Sequence, residues 1–312
     1  MSRLIQKNAW SLGLLLLLGA LLITTKVIQP NFGATGLESL ARAALPFAFA
    51  TAAMAIVVIA GGIDLSIASM MSVCGVTAAV LMQHMGAVPA VAITLCVGGA
   101  MGAINGGLIV LTKVPDIVVT LAMLFVWEGV ALLILTSPGG NVSDGLRSLI
   151  SGALIPGVPN ALIFMVVAVA VLWLPIRRAK LGLSIYAIGS DELAAFRSGI
   201  NVGWTKVAAY GLCGVLAAMG GLSLIMLTGI GEPVPGPYLL ASVAAVVLGG
   251  VVLGGGRGGL LGPIIAVFVL RIIRTILTLA AVDPNVTTIV EGVIMVAVVM
   301  LGAVVTYRRV RR

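Results

Sequence analysis

The sequence consists largely of apolar runs that are each long enough to cross a lipid bilayer. About 20 apolar residues span the hydrocarbon as an α-helix. Between charged residues and Pro/Gly punctuation, the chain of 312 residues contains ten such runs. They cover residues 10–29, 41–60, 65–83, 89–111, 117–136, 158–175, 206–228, 239–255, 260–280 and 286–306. The pattern predicts an all-α integral membrane protein with about ten transmembrane helices in a single transmembrane domain, residues 1–312.

The scarcity of charged residues excludes a soluble globular protein. Only 9% of the residues are charged and 61% are hydrophobic, whereas a soluble domain carries about 25% charged residues. A soluble protein of this length cannot bury so much apolar surface, because a large share of any folded surface faces water. The chain therefore belongs in lipid.

The positions of the basic residues indicate how the chain is oriented. With the N-terminus inside, 13 of the 18 Lys and Arg residues fall in cytoplasmic segments, and Arg271 and Arg274 fall within a run. Only Lys26, Arg42 and Arg147 fall outside. This split follows the positive-inside rule and predicts cytoplasmic N- and C-termini. The net charge of +8 then reflects membrane topology and not nucleic-acid binding.

The two ends of the chain each allow a second interpretation. The first run follows Arg3 and Lys7, as in a signal peptide, but no small-residue cleavage site follows it, so we expect a retained span. The terminal cluster Arg308–Arg312 is either a simple stop-transfer anchor, which we favour, or a binding site for anionic lipid headgroups.

Few residues in the chain are suited to catalysis or metal binding. Cys74, Cys96 and Cys213 each lie in an apolar run without CxxC spacing, which predicts small core residues. His84 is the single histidine, and no nucleophile is paired with a base. We expect neither a metal site nor an enzyme.

Two hydrophilic stretches are longer than turns. Residues 137–159 fall outside and separate five runs from five, which is compatible with an inverted 5+5 repeat. Residues 176–205 form a cytoplasmic loop. Within this loop, helix formers follow a cap at Ser190 or Asp191 and stop at Gly199, which predicts a short exposed helix. It is either a solvated loop helix or a docking helix for a cytoplasmic partner.

The pattern Glu192-x-Ala194-Ala195-x-x-x-Gly199 resembles the EAA-type coupling segment of ABC importer permeases. Its setting resembles the monosaccharide (ribose/xylose/galactose-type) permease family, within the branched-chain and sugar permease superfamily. That setting extends from Tyr186–Gly189 to Ser198–Ile200. Other blocks agree with the family in order, namely Gly61–Ser66, Val114–Pro115 with Thr120–Met123, and Ala244–Gly250 with Gly255–Gly258. These blocks cover roughly residues 40 to 300.

The resemblance implies the permease of an ATP-driven importer in the bacterial inner membrane. It would move a monosaccharide or similar small polar solute by alternating access, with a second permease copy, cytoplasmic ATP-binding subunits and a periplasmic solute-binding protein as partners. The resemblance assigns the contact with the ATPase to Asp191, Glu192, Ala194, Ala195, Arg197 and Gly199. ATP and Mg would bind the partner ATPase, because Gly249–Gly262 lacks the Gly-Lys-Ser/Thr of a phosphate loop.

Other solutes and another mechanism remain alternatives. The superfamily includes importers of branched-chain amino acids and of autoinducer-type solutes. An ion-coupled secondary transporter would use carboxylates such as Glu128 and Glu291 in the membrane, but it would leave the coupling segment without a role.

Two sets of glycines recur every four residues. Small residues at this spacing allow close helix packing within the protomer. Interruption of a helix beside the pathway is the alternative, and we favour it near Gly254–Gly259. The sets are Gly98, Gly102 and Gly106, and Gly250, Gly254, Gly258 and Gly262.

Polar residues next to or within the apolar runs are candidates for the pathway. Asp64 either caps the incoming helix, which we favour, or faces a polar cavity. Ser66 would lie in the first turn of that helix. Asn105 in the fourth run is a further candidate.

Four ionisable residues lie within the predicted spans, where charge is expensive and points to function. Equal depth predicts an Arg274–Glu291 pair and a second pair, Glu128–Arg271. The pairs either neutralise one another in the bundle, or Arg271 and Arg274 line the pathway and offer hydrogen bonds to a polar solute.

Overall fold

A computed structural model describes residues 2–310, with the side chains of residues 10–294, 296, 297 and 300. Arg311 and Arg312 of the predicted terminal cluster lie outside the described residues, as do the side chains of Arg3, Lys7, Arg308 and Arg309. The helices of the described range are α1 (Ser2–Ile28), α2 (Ala34–Ile59), α3 (Ile67–Leu81), α4 (Ala87–Thr112), α5 (Asp116–Ile134), α6 (Asp144–Ser148), α7 (Asn160–Arg178), α8 (Lys180–Ser190), α9 (Glu192–Arg197), α10 (Val202–Thr228), α11 (Tyr238–Leu248), α12 (Leu261–Leu279) and α13 (Pro284–Val310).

The all-helical architecture agrees with the prediction. The ten apolar runs correspond to α1 to α5, α7 and α10 to α13. Within the residues whose side chains are described, seven of these helices are long and apolar enough to cross a membrane, while α3 and α11 are apolar but shorter, with 15 and 11 residues. The number of crossings, the cytoplasmic location of the termini and the inverted 5+5 repeat stay predictions.

Helix α2 forms the centre of the bundle. Every residue from Ala44 to Ile59 is buried, and the helix packs against α3, α7, α8, α10, α11 and α12. Peripheral helices instead present apolar side chains outward, for example Leu16 on α1, Leu133 on α5 and Val171 on α7. Lipid tails are as apolar as these side chains, so this outer surface suits a bilayer.

The glycines of α4 allow it to pack very closely on α10. A methyl group on Gly98 would lie 2.5 Å from the carbonyl oxygen of Gly214, and one on Gly106 would lie 2.8 Å from the Cα of Val207. On Gly102 it would overlap the carbonyl oxygen of Tyr210. The prediction of close packing within the protomer is therefore confirmed for this set.

Cys96, two residues before Gly98, lies on the outward face of α4 and is exposed. Its predicted assignment to the core was therefore wrong.

The second glycine set does not form a helix face. The predicted run 239–255 is wrong in its second half, because α11 ends at Leu248 and residues 249–260 are non-helical. Gly250, Gly255 and Gly256 have φ of 84°, 82° and 67°, which L side chains rarely adopt. Here the alternative, interruption of the helix, is confirmed.

Candidate functional site

A chain of buried hydrogen bonds joins α4, α5 and α10 to the connection between α2 and α3. Asp64 Oδ1 accepts hydrogen bonds from the backbone N–H of Ser66 at 2.9 Å and from its hydroxyl at 2.7 Å. Asn105 Nδ2 donates to Ser66 Oγ at 2.7 Å, and Trp127 Nε1 donates to Asn105 Oδ1 at 3.1 Å. The Cys213 thiol completes the chain with a contact of 3.7 Å to Asp64 Oδ2. We call these five residues the buried network.

The buried network brings together three residues predicted as pathway candidates, Asp64, Ser66 and Asn105. All three are fully buried. The favoured role of Asp64 as the cap of the next helix was wrong, because α3 begins at Ile67 and the carboxylate bonds to Ser66 instead of to amides within α3. Asp64 lies in the connection between α2 and α3. Burial raises the pKa of this carboxyl, and hydrogen bonds, first those from Ser66, oppose the rise.

A second polar contact covers the same connection. The Tyr210 hydroxyl donates to Asp116 Oδ2 at 2.8 Å. Both groups pack over Gly62, where a methyl group would lie 2.6 Å from the Tyr210 oxygen. The Thr120 hydroxyl donates to the carbonyl of Asp116 at 2.8 Å and also lies 3.2 Å from the carbonyl oxygen of Ile63. The connection 61–66 is therefore held by side chains from α5 and α10 as well as by the buried network.

The ionisable residues within the predicted spans form one of the two predicted pairs. Arg274 Nη1 lies 3.5 Å from Glu291 Oε2, so the pair between α12 and α13 is present. Among the described side chains, Glu128 forms no ion pair with Arg271. Equal depth was an insufficient criterion, because α5 packs on α3 and α4, whereas α12 packs on α1, α2, α11 and α13.

Arg271 instead lies over an aromatic ring. Its guanidinium carbon is 5.4 Å from the centre of the Phe47 ring, within the range of a cation–π interaction. Its Nε is buried and has no hydrogen-bond partner among the described residues. The hydroxyl of Thr51, one turn beyond Phe47 on α2, is buried and unpartnered in the same sense.

The predicted cytoplasmic loop contains two helices, α8 and α9. Asp191 caps α9, since its Oδ1 accepts from the N–H of Ala194 at 2.9 Å. Gly199, with φ of 83°, ends the segment, and the N–H of Ile200 bonds back to the carbonyl of Ala195 at 3.1 Å. This is the Schellman pattern of a helix end. The predicted boundaries of this helix are confirmed, whereas α8 (Lys180–Ser190) was not predicted.

One face of helix α9 packs against the rest of the protein, and the other face is exposed. Ala195 is buried, and Glu192 forms a 2.8 Å ion pair with Lys206 of α10. The side chains of Leu193 and Phe196 are 58% and 66% exposed. These two apolar side chains are exposed within residues 191–199, the stretch predicted from the sequence to contact a cytoplasmic partner. We call residues 191–199 the docking segment after that prediction.

The chain is similar to known transport proteins over most of its length. Residues 36–299 match the family described as branched-chain amino acid transport system / permease component. The chain belongs to this family. The ribose import permease protein of Escherichia coli K12 is 31% identical to this permease over 296 residues, which is 92% of each chain. The autoinducer 2 import system permease protein of Escherichia coli O157:H7 is 29% identical over 319 residues, 97% of this chain and 94% of that protein.

These relatives confirm the resemblance drawn from the sequence blocks. The chain is a permease subunit of an importer and a multi-pass protein of the bacterial inner membrane. No solved structure gives a significant match to the permease. Among the described residues, no group of three or more His, Cys, Asp and Glu residues could hold a metal ion.

Several residues of the site were missed by sequence reasoning. Trp127 and Tyr210 had no recognised role, Cys213 was predicted only as a small core residue, and Asp116 was not among the site candidates. Each carries a polar group inside or at the end of an apolar run. A buried polar group needs a hydrogen-bond partner, so this signal was available for all four. The identity of their hydrogen-bond partners could not be predicted, because each partner lies 22 to 149 residues away in sequence.

Proposed function

We propose that the permease is one half of the membrane channel of an ATP-driven importer for a monosaccharide or similarly small polar solute. Two permease copies would enclose the pathway, and a periplasmic protein would deliver the solute. ATP with Mg would be hydrolysed by cytoplasmic ATP-binding subunits. The ribose and autoinducer 2 import permeases among its relatives support this solute class.

The docking segment is the observation that carries this proposal. It combines a helix that is capped at both ends with exposed Leu193 and Phe196, and the Glu192–Lys206 pair connects it to α10. An ion-coupled secondary transporter has no use for such a surface. Its coupling carboxylates would be Glu128 and Glu291, and Glu291 already pairs with Arg274.

For contact with the solute we favour Arg271 and Arg274 over the buried network. The polar atoms of Asp64, Ser66 and Asn105 bond to one another or to Trp127 and Cys213. Arg271 Nε, by contrast, is buried and has no hydrogen-bond partner within the described part of the chain, and a guanidinium offers several donors to hydroxyl or carboxylate oxygens. Phe47 beside it supplies an aromatic ring.

The test of ATPase docking compares two exposed apolar residues. We expect Phe196→Ser to abolish co-purification of the ATP-binding subunit with the tagged permease, because the substitution removes an apolar contact from the docking segment. Leu154→Ser is the matched control, since Leu154 is 84% exposed but lies in the predicted outer loop. Equal retention of the ATP-binding subunit by both variants would contradict the proposed docking.

The solute is tested separately by uptake. Three radiolabelled solutes are tested, namely ribose, autoinducer 2 and leucine. Proteoliposomes with the complete importer should accumulate one of them, and only when ATP is present in the compartment that holds the ATP-binding subunits. Accumulation of leucine alone would favour the branched-chain amino-acid alternative. Accumulation driven by an ion gradient without ATP would contradict the importer mechanism.

A further inference from the structure

Three backbone segments meet at the carbonyl group of Ile59, the last residue of α2. The N–H of Gly256, in the non-helical tract after α11, donates to this oxygen at 2.9 Å. Gly189, near the end of α8, approaches from the other side. A methyl group on Gly189 would overlap the Ile59 oxygen and lie 2.6 Å from the nitrogen of Gly256. The contact therefore exists only because Gly189 has no side chain.

Two more glycines complete this contact. A methyl group on Gly255 would lie 2.5 Å from the carbonyl oxygen of Gly189 and 2.9 Å from the Cα of Gly61. Gly61 and Gly255 have φ of 92° and 82°, so a side chain at either position would also strain the backbone. We call Gly61, Gly189, Gly255 and Gly256 the glycine joint.

A side-chain hydrogen bond reinforces the joint. The hydroxyl of Tyr186 on α8 donates to the carbonyl of Gly258 at 2.9 Å, which ties α8 to the tract that contains Gly255 and Gly256. Burial raises the pKa of the Tyr186 phenol, and Arg177 opposes the rise. The phenol therefore keeps its proton, and the hydrogen bond is retained, throughout the neutral pH range.

The joint lies between two parts of the permease that have separate roles. On one side, Gly189 is two residues before Asp191, which caps α9 and begins the docking segment. On the other side, Gly61 is three residues before Asp64 of the buried network. The connection 61–66 thus touches α8 at one end and carries Asp64 and Ser66 at the other.

Contacts of this kind transmit movement directly. Protein interiors are close-packed and have low compressibility. In the joint, backbone touches backbone, so no side chain can change rotamer to absorb a displacement of α8. A shift of α8 must therefore move Ile59 and Gly61, or break the hydrogen bond from Gly256.

We propose that the glycine joint couples the docking segment to the buried network, by setting the position of connection 61–66 according to the position of α8. Its glycines are positioning residues and do not contact the solute. This inference rests on the proposed function, because the movement of α8 would come from the docked ATP-binding subunit.

Hydrogen–deuterium exchange of the complete importer tests the inference without knowledge of the solute. The complex is purified through a tag on the permease and measured with and without ATP and vanadate. In the wild type, we expect nucleotide to change exchange in residues 191–199 and also in residues 61–66. In Gly189→Ala and Gly255→Ala, the change should persist in 191–199 and fall by roughly fivefold or more in 61–66.

The same glycine tract supplies the controls. A methyl group on Gly254 would meet only Val252 Cγ1 at 3.9 Å, one on Gly259 would meet nothing within 4 Å, and neither residue has a positive φ. Gly254→Ala and Gly259→Ala should therefore keep the wild-type response. Tyr186→Phe adds no atoms and removes only the hydrogen bond to Gly258, so it should fold and show a loss of about two- to threefold.

The outcomes separate the two proposals. No nucleotide response at 191–199 in the wild type would contradict the proposed docking. If nucleotide changes exchange at 191–199 but not at 61–66 in the wild type, only the coupling role of the joint is overturned and the proposed docking stands. An undiminished response at 61–66 in Gly255→Ala and Tyr186→Phe would overturn it as well, even if Gly189→Ala failed to fold.

Discussion

In α4, Gly98, Gly102 and Gly106 recur every four residues, and a second set with the same spacing runs from Gly250 to Gly262. The first set forms a helix face packed on α10, whereas Gly250, Gly254 and Gly258 of the second set are non-helical and Gly262 lies in the first turn of α12. The residues between the glycines explain the difference. In α4 they include Ala, Met and Ile, but Gly254–Gly259 contains five glycines, each costing about 1 kcal/mol in a helix relative to Ala.

The comparison also separates two ways in which glycine is needed. In α4 the backbone is helical and an added methyl group would collide with α10. In the tract 249–260, several glycines are needed for their positive φ, and some also for close approach. Glycine spacing therefore predicts close packing only where the intervening residues sustain a helix.

The largest effect is expected at the contact of α4 with α10. Gly102→Ala places a methyl group on the carbonyl oxygen of Tyr210, which as backbone cannot rotate away. We expect a loss of roughly 2–3 kcal/mol in stability, the upper part of the range for overpacking. The measurement is the thermal unfolding midpoint of the purified permease in detergent.

Gly107→Ala is the control for this prediction. Gly107 lies in the same helix, and a methyl group there would meet nothing within 4 Å. Its midpoint should equal or exceed that of the wild type, because Ala is the better helix former. Similar midpoints for the two variants would mean that α4 and α10 are not in backbone contact.

A smaller loss is expected when the buried network beside this contact is cut. Asn105→Leu keeps a similar volume but leaves Trp127 Nε1 without its acceptor. An unsatisfied buried donor costs about 1–3 kcal/mol, and interhelical hydrogen bonds in membranes have measured values near the low end. We expect about 1–2 kcal/mol by the same unfolding measurement. Ile104→Leu, at a neighbouring 48% exposed position, should change nothing.

The fold was more predictable than the site, for reasons visible in particular residues. Apolar run length located ten helices, because each lipid-spanning helix satisfies its own backbone locally. The cap at Asp191 and the stop at Gly199 were also predictable from local signals. The buried network was not, since Asp64 reaches Cys213 across 149 residues. The Glu128–Arg271 prediction failed for the same reason, as depth does not specify which helices are neighbours.

In the second glycine region, an intermediate effect is expected at Gly250. A methyl group there would lie 2.7 Å from Cδ1 of Trp10, whose Nε1 donates to the carbonyl of Leu248 at 2.7 Å. Gly250→Ala must also hold a φ of 84°, so we expect a loss of about 1 kcal/mol. If the thermal unfolding midpoint of Gly250→Ala is no lower than that of Gly254→Ala, position 250 does not require glycine, and the requirement lies elsewhere in the tract.

The smallest effect is expected at the Arg274–Glu291 pair, on the helix that follows this tract. The two side chains are 44% and 21% exposed and 3.5 Å apart. Exposed pairs are worth roughly 0.2–1 kcal/mol after screening. A double-mutant cycle of Arg274→Gln and Glu291→Gln should therefore give a coupling energy of about 0.5 kcal/mol in unfolding.

This cycle also distinguishes a structural pair from one that serves transport. Neutralising either residue of a pair that only stabilises the hairpin of α12 and α13 should lower the midpoint slightly and leave uptake per folded permease unchanged. If Arg274 contacts the solute, Arg274→Gln should reduce uptake while Glu291→Gln does not. A coupling energy above about 2 kcal/mol would indicate that the pair is shielded from solvent, which would require α12 and α13 to be covered in the assembled importer.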